Sequence, residues 1–229
     1  MRLGIFGGSF NPVHSGHVNI AKAAIDDLGL EKLYVIPANV SPFKVDGKGM
    51  VLDGDKRLML VRAAFNGIPR IAVDDRELAR GGVSYAVDTV KEIAAENPDA
   101  EIFYIVGEDS LEGLPKWKDY DILKSLCTFK SYPRTSESST AVREKLAAGD
   151  DLEGLVPDAV AMFLKYGISE NPDGKIVSLV RAGLLRKEGY CPCRLPKVPE
   201  YFCPCEEFMS QMADPSFHGL CHCRLYLKP

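Results

Sequence analysis

The sequence lacks any long apolar segment. No apolar run in its 229 residues approaches the roughly 20 residues that a membrane-spanning helix needs. The N-terminal segment Met1–Gly8 has the pattern of a buried strand that enters a glycine turn. It has neither the long apolar region nor the small-residue cleavage site of a signal peptide. We therefore expect a cytoplasmic protein with no membrane partner.

The sequence also lacks a basic region. Its 28 lysines and arginines and 32 aspartates and glutamates give a net charge of −4. Residues 169–229 hold 8 basic and 7 acidic side chains, which leaves 20 and 25 for residues 1–168. Proteins that bind nucleic acid concentrate lysine and arginine in a patch or stripe, and neither part does so. We expect no nucleic-acid partner, and any nucleotide bound is expected to be small.

Cysteine and histidine are scarce outside two short segments. Six of the seven cysteines lie between Cys191 and Cys223, and only Cys127 lies elsewhere. The four histidines form two pairs, His14 with His17 and His218 with His222. Such clustering in a chain of this length indicates two separate chemical sites.

The hydrophobic pattern alternates between strand and helix periods. Strands are predicted at 2–6, 32–36, 70–73 and 100–106, and helices at 16–28, 55–65, 84–96, 139–148 and 157–166. This order predicts an α/β fold with a doubly wound, mostly parallel sheet. Ligands of such sheets bind beyond the carboxyl ends of the strands, where the loops at 7–17, 37–44 and 107–110 would meet.

A linker is predicted between two domains. The turn Asn171-Pro172-Asp173-Gly174 lies in a polar segment, 167–174, and a short helix is expected at 175–185. We therefore expect one domain at 1–168 and a small, mainly helical domain at 169–229.

The first chemical motif is Gly7-Gly8-Ser9-Phe10-Asn11-Pro12-Val13-His14-Ser15-Gly16-His17. It follows a predicted strand and opens a predicted helix, a place where backbone N–H groups and the helix dipole bind anions. It matches neither the dinucleotide fingerprint nor the phosphate-binding loop with its lysine. Gly16 would let a phosphate approach the helix, and the histidines could donate hydrogen bonds to a transferring phosphoryl group. Each histidine taken alone could instead have a structural role in the loop or helix cap.

This motif resembles the His-x-Gly-His nucleotidyltransferase superfamily, and specifically bacterial nicotinate-mononucleotide adenylyltransferases. The resemblance continues in four later segments, at residues 36–44, 77–89, 107–117 and 138–143. It implies a Rossmann-like nucleotidyltransferase domain. The catalytic residues that it implies are His14, His17, Lys44 and Arg143. The nucleotide-binding residues that it implies are Gly7, Gly8, Ser9, Phe10, Gly16, Tyr85, Thr89, Gly107, Asp109, Trp117, Ser139 and Thr140.

The resemblance implies a reaction. The 5′-phosphate of nicotinate mononucleotide would attack the α-phosphate of ATP, with Mg²⁺ as cofactor, to give deamido-NAD and pyrophosphate. Two positions depart from the family: Ala86 stands where threonine is usual, and the segment before Ser138 omits a further strand and helix. These departures leave open whether the acid or the amide mononucleotide is preferred. They also leave open that residues 1–168 are only a nucleotide-binding or docking module.

The second chemical motif consists of three Cys-x-Cys pairs. Cys191-Pro192-Cys193 is followed after nine residues by Cys203-Pro204-Cys205, and after fifteen more by Cys221-His222-Cys223. Clustered thiols in a cytosolic protein favour metal binding over structural disulfides. A zinc ion or a four-iron cluster needs four thiolates, so two cysteines remain. A small zinc-binding tail with two spare thiols is the alternative interpretation.

The order of these pairs resembles the catalytic chain of ferredoxin–thioredoxin reductase. The resemblance implies a [4Fe–4S] cluster bound by Cys191, Cys203, Cys205 and Cys221. It also implies a redox-active disulfide between Cys193 and Cys223, with His222 as the proton donor or acceptor. Ferredoxin would supply electrons, and a thioredoxin-like protein disulfide would be reduced. Outside this segment, we expect Cys127 to be a buried core thiol.

Overall fold

The computed structural model describes residues 1–44, 52–133 and 135–229. The first part of the chain contains five strands, β1 Arg2–Gly8, β2 Lys32–Pro37, β3 Ile71–Val73, β4 Glu101–Gly107 and β5 Thr128–Tyr132. Its helices are α1 Ser15–Asp27, α2 Gly54–Phe65, α3 Arg76–Arg80, α4 Ala86–Glu96, α5 Tyr120–Leu126, α6 Ser139–Ala148 and α7 Asp158–Lys165, with 3-10 turns at Pro42–Lys44 and Glu108–Lys116. Within the described ranges, no helix combines the length and the apolar character needed to cross a bilayer.

The five strands form one parallel sheet in the order β3-β2-β1-β4-β5. Side chains of a strand alternate between faces, so the central strand β1 contributes to two cores. Leu3 and Ile5 pack with α4 and α5 on one face, while Phe6 packs with α1 and α2 on the other. The predicted doubly wound parallel α/β sheet is confirmed.

Three elements of this part, α3, α5 and β5, are not among those predicted from the sequence. The strand β5 pairs with β4 at the sheet edge and has exposed side chains in alternation with less exposed ones. An edge strand of this kind lacks the continuous apolar run that marks a buried parallel strand. The short segment before Ser138 therefore contains the fifth strand and leads directly into α6.

The cysteine-rich tail has its own small sheet. Its elements are β6 Ser169–Glu170, α8 Gly174–Arg186, α9 Glu206–Ala213, β7 Gly219–Leu220 and β8 Tyr226–Lys228, with a 3-10 turn at Pro199–Tyr201. The strands pair antiparallel in the order β6-β8-β7. Asn171 donates from its main chain to the Leu225 carbonyl and from its side chain to the Arg224 carbonyl, both at 2.8 Å. The segment expected to be a linker is therefore ordered and paired with the end of the chain.

The tail packs directly against α2 and α7. The ring of Phe163, on α7, meets that of Tyr226 edge-on at 4.7 Å between centroids, and Tyr226 stacks on Phe208. At the end of α2, the Asn66 amide donates to the carbonyls of Gly189 at 3.1 Å and Cys203 at 2.6 Å. One hydrophobic core thus continues from residues 1–168 into residues 169–229.

Candidate functional site

The His-x-Gly-His segment begins α1 at the carboxyl end of β1. His14 is the N-cap residue of that helix, and its main-chain N–H donates to Nδ1 of His17 at 3.2 Å. The two imidazole rings lie 3.7 Å apart between centroids, and Phe10 covers His17 with its ring centroid at 4.8 Å. Phe10 itself has a φ of 44°, a left-handed conformation that is uncommon for residues with a side chain. The loop thus presents two adjacent imidazoles, tilted by 38° relative to each other, at the start of the helix.

The electrostatic environment of His17 defines its hydrogen-bonding role. Burial holds its pKa well below the ordinary value of 6.5, and the nearby His14 lowers that pKa further. The ring is therefore neutral at pH 7. Because Nδ1 accepts the His14 N–H, the single ring proton is on Nε2, which remains available as a donor.

Helix α6 brings the second signature onto this loop. The Ser139 hydroxyl donates to the Pro12 carbonyl at 2.9 Å, and Arg143 donates from Nη1 to the Asn11 carbonyl at 2.7 Å. The second Nη of Arg143 donates to the Thr140 hydroxyl at 3.0 Å. The structure therefore brings Ser139, Thr140 and Arg143 next to the loop of His14, despite the short preceding segment.

Gly16 lies where no side chain fits. A Cβ at this position would lie 2.1 Å from the Thr135 hydroxyl and 3.1 Å from Nδ1 of His14. Thr135 lies three residues before Ser138, so the segment that leads into the second signature approaches the glycine of the first. The absence of a side chain permits this close approach.

A cavity of about 630 Å³ opens beside the loop. Six residues that the sequence analysis proposed line it: Gly7, Gly8, Ser9, Tyr85, Asp109 and Trp117. It is also lined by Ala38, Ser41, Pro42, Phe43, Glu77, Ser84, Ala86, Tyr104, Ser110, Gly113, Lys116 and Lys118. The loops after β1, β2 and β4 therefore meet at one edge of the sheet, as expected for a doubly wound fold.

Aromatic side chains form one wall of the cavity. Tyr104 and Trp117 pack edge-to-face with centroids 5.6 Å apart. The Tyr104 hydroxyl lies so close to Gly7 that a Cβ there would be 2.5 Å away. Lys118 and Tyr85 also line the cavity, and the Lys118 ammonium lies 4.4 Å from the Tyr85 ring centroid, a cation–π contact. The cavity can accept a planar ring between apolar and cationic surfaces.

Glu77 is a cavity residue that the sequence analysis did not single out. It is only 4% exposed, and its carboxylate accepts from the Thr89 hydroxyl at 2.6 Å. Burial raises the pKa of this carboxyl group, while hydrogen bonds from Thr89 and Ser84 oppose the rise. Its place at the start of the segment 77–89, which resembles the family, was the available signal. Thr89 is fully buried and supports Glu77.

Three further residues were predicted from the sequence: Phe10, Gly107 and Lys44. Phe10 is buried beneath the loop, and Gly107 ends β4 at the cavity edge. Lys44 ends the 3-10 turn Pro42–Lys44, directly before the undescribed residues 45–51. The sequence analysis also missed Arg57, a buried arginine of α2. A charged residue among the apolar residues of an amphipathic helix was the signal for it.

Comparison with known proteins places this geometry in a family. Residues 5–173 match the family described as cytidylyltransferase-like. The chain belongs to this family. A relative from Gemmatimonas aurantiaca, named a probable nicotinate-nucleotide adenylyltransferase, is 35% identical over 192 residues, which cover 72% of this chain and 90% of the relative. A relative of the same name from Geobacillus kaustophilus is 31% identical over 205 residues. The match covers 80% of this chain and 94% of the relative.

Solved structures share the fold of this cytidylyltransferase-like chain. A protein of Vibrio parahaemolyticus described as a nicotinate-nucleotide adenylyltransferase has a TM-score of 0.60 and 23% identity, covering 71% of this chain and 97% of its own. The nicotinic acid mononucleotide adenylyltransferase of Plasmodium falciparum, complexed with NaAD, has a TM-score of 0.58 and 16% identity. The match covers 72% of this chain and 96% of the Plasmodium chain. These likenesses support the Rossmann-like nucleotidyltransferase fold.

The cytidylyltransferase-like match ends at Asp173, before the first tail cysteine. All seven cysteines are free thiols, including Cys193 and Cys223, for which the second resemblance implied a disulfide. Cys193 is exposed, as is His222, whereas the other five tail cysteines are buried. Cys127 is buried in the first part of the chain, as predicted, and burial raises the pKa of its thiol to about 12.

The tail thiols lie close together. Cys221 and Cys223 have their sulfur atoms 3.6 Å apart, and the Tyr226 N–H donates to the Cys221 sulfur at 3.3 Å. Hydrogen bonds from Cys205 and then Cys223 lower the pKa of Cys191, and the same bonds raise the pKa values of the two donors. Over the described ranges, no set of three or more histidine, cysteine or acidic side chains has the spacing of a formed metal site.

Proposed function

We propose that this chain transfers the adenylyl group of ATP to nicotinate mononucleotide. The observation that carries the proposal is the contact between the two signatures, because Ser139 and Arg143 donate hydrogen bonds to the loop that holds His14 and His17. The first residues of the same motif, Gly7, Gly8 and Ser9, line the cavity. The names of relatives at 35% and 31% identity over most of their length support the same substrates. An alternative role as a nucleotide-binding module predicts ATP affinity without pyrophosphate release.

The proposed reaction is one displacement at phosphorus. A 5′-phosphate oxygen of the mononucleotide bonds to the α-phosphorus of ATP, and the bond from that phosphorus to the bridging oxygen breaks, releasing pyrophosphate. The chain forms no covalent intermediate and acts by positioning and charge stabilisation. Neutral His17 offers its Nε2–H to phosphate oxygens, and His14 lies beside it. Arg143 keeps further N–H donors beyond the two that it uses within the protein.

The described residues fit a magnesium ion that arrives with ATP. Magnesium is usually held by substrate phosphates and one or two carboxylates, so it needs no complete protein cage. Asp109 provides an exposed carboxylate at the cavity. When bound, Mg²⁺ neutralises charge on the phosphates.

Purified protein incubated with ATP, Mg²⁺ and nicotinate mononucleotide is expected to release pyrophosphate and form deamido-NAD in equal amounts. Coupled pyrophosphate detection and chromatography of the dinucleotide measure both products. The amide mononucleotide is assayed in parallel, because Ala86 lines the cavity at the position of the usual threonine. Lack of turnover with both mononucleotides, in a preparation that binds ATP, would favour the binding-module alternative.

The tail supports a second proposal, because it collects six thiols in one place. We propose that residues 169–229 form an iron–sulfur unit in which Cys191, Cys203, Cys205 and Cys221 bind a [4Fe–4S] cluster. All four are buried, and thiolates are the ligands that such clusters take. When bound, the cluster supplies electrons one at a time, with ferredoxin as the proposed source.

The two remaining thiols are proposed to reduce a thioredoxin-like disulfide. Cys193 is exposed and can attack the target disulfide, releasing one target thiol and forming a mixed disulfide. Cys223 then displaces the second target thiol and forms a disulfide with Cys193, so the two target sulfurs gain two electrons and two protons. The exposed His222 is the proposed proton donor and acceptor.

Anaerobic purification tests the iron–sulfur proposal. The expected preparation is brown and contains about four iron and four sulfide per chain. Cys205→Ser is expected to lower the iron content, whereas Cys127→Ser, in the first part of the chain, leaves it unchanged. A colourless preparation with one zinc ion per chain would contradict the cluster and favour the zinc-binding tail.

A further inference from the structure

Among the described residues, Arg57 is the largest of the fully buried side chains, at 1% exposure. It lies in the first turn of α2, and its guanidinium donates to four main-chain carbonyls. Nη1 donates to Ser9 at 2.9 Å and to Ala38 at 2.6 Å. Nη2 donates to Asn39 at 3.1 Å, and Nε donates to Leu52 at 3.3 Å.

These carbonyls belong to the loops that surround the cavity. Ser9 lies in the loop after β1, and Ala38 follows β2. Both residues line the cavity. One guanidinium therefore links the loops that follow the neighbouring parallel strands β1 and β2 to helix α2 by hydrogen bonds.

The hydrogen bonds also fix the orientation of a peptide group between those loops. The carbonyl and N–H of a trans peptide point in opposite directions. The Ala38 carbonyl accepts from Arg57, and the N–H of the same peptide, on Asn39, donates to the Ser84 hydroxyl at 2.9 Å. Ser84 in turn directly precedes Tyr85 of the cavity. The network thus runs from α2 through the second loop to the segment that begins α4.

Arg57 also keeps a positive charge beneath these loops. Burial lowers its pKa, and Asp53 opposes that effect. A guanidinium nevertheless stays protonated at neutral pH. Its described hydrogen-bond acceptors are neutral carbonyls, which orient the cation without cancelling its charge.

We propose that Arg57 is a positioning residue for adenylyl transfer, which aligns the loops of Ser9 and Ala38 so that the two bound substrates meet in line. This inference rests on the proposed adenylyltransferase function. Arg57 acts through main-chain groups and not by touching substrate. A lysine keeps the charge but presents its donors from a single atom, so it cannot reach both loops as the fork does.

Steady-state kinetics of Arg57→Met and Arg57→Lys test the inference. The assays are run below the unfolding midpoint of each variant, with rates normalised to folded protein. Because misaligned loops still bind each substrate, we expect kcat of Arg57→Met to fall about 10- to 100-fold. KM for ATP and for nicotinate mononucleotide should change far less, and Arg57→Lys should recover part of kcat.

Arg62→Met is the matched control, since Arg62 lies on the same helix and pairs with Asp75 at 3.0 Å. Its kcat should equal that of the wild type. A folded Arg57→Met with unchanged kcat, a loss confined to KM, or failure of both Arg57 variants to fold would overturn the positioning role. Absence of turnover in the wild type would instead overturn the proposed function, and the inference with it.

Discussion

His17→Ala is expected to lower kcat for pyrophosphate release about 10²- to 10³-fold, the usual effect of removing one fixed donor to transition-state charge. The neutral ring of His17 has its proton on Nε2 because Nδ1 accepts the His14 N–H. That donor is held in place by the adjacent His14 ring and by Phe10, so it needs no reorganisation during the reaction. Initial rates at saturating ATP and mononucleotide measure the change.

Two variants control this prediction. His17→Gln places an amide N–H near the position of Nε2, and we expect it to keep more activity than alanine. His218→Ala removes a histidine of the tail, whose Nδ1 lies 2.5 Å from the Pro229 carbonyl, and should leave kcat unchanged. Equal activities of His17→Ala and wild type would show that the ring has only a structural role.

The lowered pKa of His17 also predicts how stability depends on pH. In the unfolded chain this histidine takes up a proton near pH 6.5, whereas the folded protein resists protonation to a lower pH. The stability from the neutral ring is therefore present above pH 6.5 and is lost as the pH falls below it. We expect the Tm of the wild type to fall more steeply between pH 7 and pH 5 than that of His17→Gln. If Tm falls equally with pH in the wild type and in His17→Gln, burial does not lower the pKa of His17.

Phe163→Ala is expected to lower the free energy of unfolding by about 3–5 kcal/mol, the usual range for a buried phenylalanine. Phe163 is fully buried on α7 and contacts Tyr226 of the tail. Because this contact lies in the core shared by both parts, the variant should shift the unfolding of the whole chain. Urea denaturation followed by circular dichroism, under the same anaerobic conditions for both proteins, measures the change.

Leu185→Ala is the control for a truncated apolar side chain. Leu185 is 82% exposed on α8, and its loss should change stability by no more than about 0.5 kcal/mol. We expect a single transition for the wild type and for both variants. Two separate transitions, with only one of them shifted in Phe163→Ala, would mean that residues 1–168 and 169–229 unfold independently.

The main helices and the strands β1 to β4 could be predicted from the sequence because of their apolar patterns. Buried strands such as β1 and β4 read as continuous apolar runs. The edge strand β5 could not be predicted in this way, because exposed side chains alternate with less exposed ones along it. Arg57 and Glu77 were missed for a related reason: a charged residue is usually exposed, and only the folded chain brings carbonyls or hydroxyls to these two.

The sequence by itself determined which residues are candidates for chemistry. The spacing of His14, Gly16 and His17 after a strand predicts an anion site, and the three Cys-x-Cys pairs bring six thiols into 33 residues. The tertiary structure decided how these features are joined. Docking α6 on the first loop, closing the cavity with Tyr104 and Trp117, and packing Tyr226 on Phe163 all depend on contacts between residues far apart in the chain. Local periodicity contains no information about such contacts, because they form only when separate elements bury their apolar faces together.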